Sequence, residues 1–197
     1  SLVRVPPWRP ADPTDQVYSV DVAHIVARNS IEHKRAEGAL DSACNRTVAG
    51  HLFVMFYIRL LDSLGLGDWV TWTQASESFK FGNGGRLPAT GRARLPITCY
   101  GIPILIWTSV VTCDSLGILF GKDFLKSIGA RICFNSARFD SFKLGLMGKP
   151  LTELARSGHF RLGMLDTPFK PPVGATRNLW RRIGTVEIHV NHLQQGV

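Results

Sequence analysis

Short apolar runs, each broken by glycine or proline, extend from residue 36 to about residue 165, and this pattern limits the possible folds more than any other feature. The most apolar windows, residues 52–61 and 102–111, are each about ten residues long, whereas a membrane-spanning helix needs about 20. The 197-residue sequence contains 19 Gly and 11 Pro, so turns are frequent. We therefore expect one all-β domain over residues 36–165 and no transmembrane segment.

Two arms flank this domain. Residues 1–35 have four prolines within the first 13 positions and are predicted to be an extended arm, with a short helix or strand near residues 17–28. Residues 166–197 are predicted to be a basic arm that ends in a strand at residues 185–190, where apolar and polar side chains alternate. Both arms are candidate contact surfaces for other protein subunits.

The net charge of +8 favours anionic partners in general. The basic residues are scattered rather than collected in a run, so we expect no specific nucleic-acid partner. The four cysteines form no Cys-x-x-Cys pair and have no histidine at ligand spacing, so neither a metal site nor a disulfide framework is indicated. Free thiols favour a reducing intracellular compartment, although the sequence leaves the localisation unknown.

Within the domain, the patterns predict a series of short elements. A strand ends at Leu40, and a helix buried on most sides occupies residues 51–64. The remaining elements are a hairpin at residues 78–87 with an Asn-Gly turn, antiparallel strands at 93–100 and 104–112, an apolar strand that ends at Gly121, a short helix through residue 128, and strands at 130–134 and 141–144.

One acidic residue, Asp41, stands where the first strand ends and a turn begins, followed by Ser42 and Ala43. A surface aspartate usually lies among polar neighbours, whereas Asp41 follows an apolar strand. This placement indicates a chemical role. The alternative is that Asp41 caps a turn or a helix.

Several elements follow one another as in the protease region of retrotransposon polyproteins, and the chain resembles these retropepsin-like aspartic proteases over about residues 36–165. The elements are the turn at Asp41, Ser42 and Ala43; a glycine-rich flap at Phe81, Gly82, Asn83, Gly84 and Gly85; a strand ending in Leu119, Phe120 and Gly121; and a Leu-Thr to Gly-His-Phe segment at residues 151–160. The resemblance implies a closed β-barrel or sandwich with a flap hairpin and one or two short helices.

The resemblance also implies a function. An aspartic protease uses two carboxylates that share one proton, and this chain offers one such turn, so it implies a homodimer in which the two Asp41 side chains activate a water. Ser42 is expected to bond across the two-fold axis, and Gly84 and Gly85 are expected near the flap tip. Gly121 is expected to let its strand pack beneath the turn. The strand at residues 185–190 is expected to add to the dimer-interface sheet.

The implied activity is cleavage of peptide substrates, as in polyprotein processing, with no metal or organic cofactor. Two departures from the family pattern stand against it: Ala43 replaces the usual glycine, and the neutral Asn45 replaces an acid expected opposite Lys122. The alternative is a catalytically inactive, domesticated protein of the same fold that serves as a structural subunit of a larger complex, held there through residues 1–35 and 166–197.

Overall fold

The computed structural model describes residues 17–20 (backbone only), 36–81, 85–154, 157–171 and 179–193. Strands far outnumber helices among these residues, which agrees with the expected all-β class. The strands are β1 (Val17–Val20), β2 (Glu37–Leu40), β3 (Val48–Gly50), β4 (Thr71–Thr73), β5 (Ser78–Phe81), β6 (Arg86–Cys99), β7 (Ile102–Val111), β8 (Ile118–Phe120), β9 (Ala130–Cys133), β10 (Arg138–Ser141), β11 (Leu146–Pro150), β12 (Thr152–Glu153), β13 (Phe160–Gly163), β14 (Trp180–Ile183) and β15 (Val186–His189).

Two α-helices are present in the described part of the chain, α1 (His51–Ser63) and α2 (Lys122–Ser127), with 3-10 turns at Gly67–Trp69 and Val190–His192. Helix α1 occupies the predicted position and buries one face against the sheet through Phe53, Val54, Tyr57, Ile58 and Leu61. The buried Tyr57 hydroxyl donates a 2.7 Å hydrogen bond to the Pro96 carbonyl, so this polar group is satisfied inside the core. No described helix has the length and apolar character needed to cross a membrane.

Twelve of the described strands form one sheet in which neighbours follow the order β1-β5-β6-β7-β3-β8-β2-β13-β12. Strand β4 adds to β6, and β15 adds to β7 and carries β14 on its other side. The expected closed barrel is not found in this part of the chain, because the path ends in β1 on one side and β12 on the other. The sheet is therefore open as described.

Strand β6 is longer than expected. The sequence predicts a hairpin strand ending near residue 87 and a separate strand at 93–100, whereas one 14-residue strand runs through both. It pairs with β7 along almost its whole length, and a register shift between Ala89 and Gly91 accommodates the bend. The hairpin that contains β5 is thus a direct extension of a central strand.

Two apolar clusters lie on opposite faces of the sheet, as the alternation of side chains in a strand requires. Leu40 belongs to the main cluster with α1, whereas its neighbour Ala39 belongs to a second cluster. The buried members of the second cluster are Ala39, Cys44, Val48, Phe79, Phe81, Ala89, Val111, Leu116, Leu119 and Leu154. This second cluster joins the Asp41 turn to the hairpin strands.

The C-terminal arm packs on the domain where it is described. Its predicted strand is present as β15, and an additional strand, β14, pairs with it. The rings of Phe169 and Trp180 are buried, and each contacts the Trp69 ring at centroid distances of 5.5 and 5.7 Å. Aromatic burial of this kind attaches the described parts of the arm, residues 166–171 and 179–193, to the sheet.

A smaller sheet of order β11-β10-β9 follows helix α2. The prediction of a strand at 141–144 is wrong beyond its first residue: β10 ends at Ser141 and residues 142–144 form a turn. Strand β11 was not predicted. Within the described residues, β9 forms one edge of this sheet and pairs only with β10. The next residue, Phe134, is 69% exposed and touches the Phe160 ring at a centroid distance of 5.6 Å.

Candidate active site

The topology brings two chain segments together at Asp41. Strands β2 and β8 are parallel neighbours, with Leu40 opposite Phe120, so their carboxyl ends meet at the same edge of the sheet. The Asp41 N–H donates to the Phe120 carbonyl at 3.0 Å, which fixes the start of the turn beside the end of β8. Asp41 and Gly121 are therefore neighbours although 80 positions separate them.

Only one of the two Asp41 carboxylate oxygens has hydrogen-bond partners in the described chain. The residue is only 3% exposed, and its Oδ1 accepts hydrogen bonds from the N–H groups of Ala43 (2.8 Å) and Cys44 (3.2 Å). Its Oδ2 is buried and has no hydrogen-bond partner within the described chain. A buried acceptor left unpaired costs about 1–3 kcal/mol. Such a group needs an explanation.

The other two residues of the turn, Ser42 and Ala43, are exposed. Because Ala43 is exposed, the fold of this chain accommodates its methyl group. Ser42 and Ala43 of the turn are thus accessible to solvent, whereas the Asp41 carboxylate is buried.

The underside of the turn rests on the backbone that follows β8. A Cβ atom on Gly121 would lie 2.6 Å from the Arg46 carbonyl carbon and 2.8 Å from the Cys44 carbonyl oxygen, distances that real Cβ atoms do not reach. The Lys122 N–H donates to the Cys44 carbonyl at 2.7 Å, and the Asp123 N–H donates to the Asn45 carbonyl at 3.3 Å. Glycine at position 121 permits this close approach. Leu119 and Phe120, which precede it, are both buried, in the second and the main cluster.

Asp123 is a supporting residue that the sequence did not identify. Its Oδ1 accepts hydrogen bonds from both the N–H and the hydroxyl of Thr47, each at 2.8 Å, and the Gly121 N–H donates to the Thr47 hydroxyl at 3.3 Å. Burial raises the pKa of Asp123 above its ordinary value, and the hydrogen bonds from Thr47 and Phe124 offset part of that rise. An acidic residue in the first turn of α2 was visible in the sequence, but its contact with Thr47 was not.

Cys44, next to the candidate catalyst, is fully buried, and its thiol donates to the Arg46 carbonyl at 2.8 Å. Burial raises the pKa of this thiol to about 12. A thiol with that pKa is protonated at neutral pH and is not an effective nucleophile. Cys44 is thus a buried packing residue of the turn.

The hairpin strands stand over the same apolar cluster as the turn. The Phe81 N–H donates to the Gly85 carbonyl at 2.8 Å, and Phe79 and Phe81 are buried against this cluster. Gly85 is exposed. The predicted flap residues Gly82, Asn83 and Gly84 lie outside the described residues. We call β5 and the start of β6 the flap strands.

An ion pair between a buried carboxylate and a partly exposed guanidinium, also missed from the sequence, anchors the flap strands. Glu77, directly before β5, is 3% exposed and binds the Arg92 guanidinium through two hydrogen bonds of 2.7 and 3.1 Å. The Ser109 hydroxyl of β7 donates to the same carboxylate. Burial alone raises the pKa of Glu77, but the hydrogen bonds from Arg92 and Ser109 and the guanidinium charge outweigh it, so the pKa lies below its ordinary value.

Replacing Glu77 with glutamine is expected to lower the free energy of unfolding by about 2 kcal/mol at neutral pH, because Arg92 loses its charged partner. Since the pKa of Glu77 is lowered on folding, its stabilising effect is complete above the unfolded-state pKa and is lost as the pH falls through the folded-state value. The difference between wild type and Glu77→Gln in urea unfolding should therefore be full above about pH 5 and shrink below about pH 4.

The exposed Glu153 of β12 provides the matched control, because Glu153→Gln should change stability little at any pH. A Glu77→Gln difference that stays constant down to pH 3 would show that the carboxylate charge is not what stabilises the flap base.

Comparison with protein-family models, with curated proteins and with solved structures finds no match to this chain.

Proposed function

We propose that this protein is a retropepsin-like aspartic endopeptidase that acts as a homodimer on peptide substrates, such as the polyprotein that encodes it. The observation that carries the proposal is the Asp41 carboxylate, with one oxygen held by two backbone N–H groups and the other buried without a partner in the described chain. The supporting structure is the Gly121 backbone pressed against the turn.

In the proposed reaction, the two Asp41 carboxylates share one proton and hold a water between them. One carboxylate removes a proton from this water as it attacks the scissile carbonyl, and the other donates its proton to the carbonyl oxygen. The shared proton belongs to the pair of carboxylates and is not assigned to either one. The N–H groups of Ala43 and Cys44 hold each Asp41 Oδ1 in place and leave Oδ2 for the shared proton and the water.

We propose a second copy because the resemblance implies two such turns and the sequence contains one Asp-Ser-Ala turn. Three other Asp-Ser pairs occur: Asp62-Ser63 at the end of α1, Asp114-Ser115 in the connection between β7 and β8, and Asp140-Ser141 at the end of β10. None of them is hydrogen-bonded to the Asp41 turn within the described residues. The second carboxylate of the proposed site therefore comes from Asp41 of another copy, with Ser42 of each copy beside the axis.

The structure does not favour the dimer interface expected from the sequence, which was the strand at residues 185–190. Strand β15 is not free to join a partner's sheet along either edge, since β7 occupies one side and β14 the other. We propose instead that β9 pairs across the two-fold axis. Exposed Phe134 follows β9 and contacts Phe160, which is paired with Leu40 directly before Asp41. Pairing at β9 would thus occur close to the two turns.

The alternative proposal is a non-catalytic subunit of the same fold. Ala43, an exposed residue at the position where the resemblance implies glycine, is the observation that favours it. The two proposals differ in whether a dimer forms there and cleaves peptides.

Subunit mixing tests the proposed homodimer. When wild-type chains are refolded with a threefold excess of Asp41→Asn chains, the peptidase activity per wild-type chain should fall to about one quarter, since most wild-type chains then pair with an inactive copy. The same excess of Asp114→Asn chains should not reduce it. Activity per wild-type chain that is independent of the excess would exclude a shared site, and wild type that cleaves no peptide in a diverse library would favour the non-catalytic subunit.

A further inference from the structure

The N-terminal arm contributes a strand to the flap. Strand β1 runs parallel to β5, with Val17 opposite Ser78 and Val20 opposite Phe81. The other side of β5 pairs with β6 in the flap hairpin. A segment that precedes the proposed protease domain therefore covers the outer edge of the first flap strand.

The hydrogen bonds show which backbone groups of β5 this edge presents. The Ala89 N–H donates to the Glu77 carbonyl and the Phe81 N–H donates to the Gly85 carbonyl, both at 2.8 Å. Odd-numbered residues of this segment therefore direct their backbone groups toward β6. Because these groups alternate along a strand, Ser78 and Lys80 direct theirs toward β1.

The register also assigns the donors of β1. Tyr18 is opposite Phe79, so in a parallel ladder its N–H and carbonyl bond to Ser78 and Lys80. The backbone N–H of Ser19 points away from β5. In the middle of β1, the backbone of Tyr18 thus bonds to β5, whereas the backbone of Ser19 does not.

We propose that β1 is a built-in restraint on the flap. A further strand along β5 adds main-chain hydrogen bonds that oppose the displacement of β5. The restraint is intramolecular, since residues 21–35 connect β1 to the domain and keep its local concentration high. The kinetic consequence, slower admission of substrate while β1 is in place, rests on the proposed function; the pairing itself does not.

Two proline variants of the full chain test the restraint. In an Asp41→Asn background, which prevents self-cleavage, Tyr18→Pro removes the N–H that faces β5, whereas Ser19→Pro removes one that faces away. Hydrogen exchange followed by NMR should be at least about tenfold faster in Tyr18→Pro at the amide of Lys80, which donates to the Tyr18 carbonyl. The amides of Phe79 and Phe81, bonded to β6, should be much less affected, and Ser19→Pro should resemble the parent. Tyr18→Val, which keeps the N–H, controls for loss of the aromatic ring.

The activity of the same variants with Asp41 intact separates the two proposals. A rise of severalfold in kcat/KM for Tyr18→Pro, absent in Ser19→Pro, is the expected result. Unchanged exchange at Lys80, or equal acceleration by both prolines, overturns the restraint whatever the activity. Faster exchange with unaltered kcat/KM overturns its kinetic consequence. Faster exchange in a protein that cleaves no peptide retains the restraint and overturns the peptidase.

Discussion

Asp41→Asn is expected to reduce peptide cleavage at mildly acidic pH by about a thousandfold or more. An asparagine amide neither shares a proton with a second carboxylate nor takes one from a water. Its oxygen still accepts the N–H groups of Ala43 and Cys44, the two bonds that Asp41 Oδ1 receives. The fold should therefore persist while the chemistry is lost, and both are measured on the same preparation by peptide turnover and by thermal unfolding.

Asp114→Asn is the matched control for this result. Asp114 is also followed by serine, but it is exposed in a loop and has no position at the turn. Its replacement should leave turnover within about twofold of wild type. If Asp41→Asn retained the activity of Asp114→Asn, the cleavage would arise elsewhere and the proposed site would be wrong.

Gly121→Ala is expected to lower the free energy of unfolding by about 3 kcal/mol, the largest stability change among the single substitutions considered. The added methyl group meets backbone atoms of Arg46 and Cys44, which cannot move aside as the end of a side chain can. To remove this overlap, the end of β8 and the turn must move apart. The hydrogen bonds between Asp123 and Thr47 and the position of the Asp41 side chain should then change as well. Urea unfolding at fixed protein concentration, followed by tryptophan fluorescence, measures the effect.

Gly117→Ala, only four positions away, is the control with the opposite expectation. A Cβ atom at position 117 meets nothing within 4 Å, and the backbone there is not left-handed. Alanine should be neutral or stabilise by a few tenths of a kcal/mol through the unfolded state. Equal stability of Gly121→Ala and Gly117→Ala would contradict the close approach beneath the turn.

Local patterns predicted the elements whose residues determine their own conformation. The apolar run that forms α1, the strand-glycine-helix sequence through Gly121 and α2, and the strand β15 all appear where the sequence placed them. Hydrophobic periodicity and glycine breaks depend on neighbours in sequence, so they are readable without the fold. Strand β14 and the continuity of β6 were missed because pairing with β15 and β7 decides them.

The site divides in the same way. The sequence singled out Asp41 by its position after an apolar strand, and it singled out Gly121 by resemblance. It could not identify Asp123 as the partner of Thr47, or Glu77 as the partner of Arg92 and Ser109, because an isolated acid in a sequence carries no sign of what it contacts. These contacts join residues that lie between 15 and 76 positions apart along the chain.

By itself the sequence determined that short strands separated by glycine would predominate. It also determined that Asp41 would begin the turn after the strand that ends at Leu40. Both follow from local propensity and pattern. Only the tertiary structure decided that the sheet is open in the described residues, that β15 lies between two strands of its own chain, and that β1 covers the flap strand. Pairing between strands depends on which edges remain free after the whole chain has folded, and no local segment contains that information.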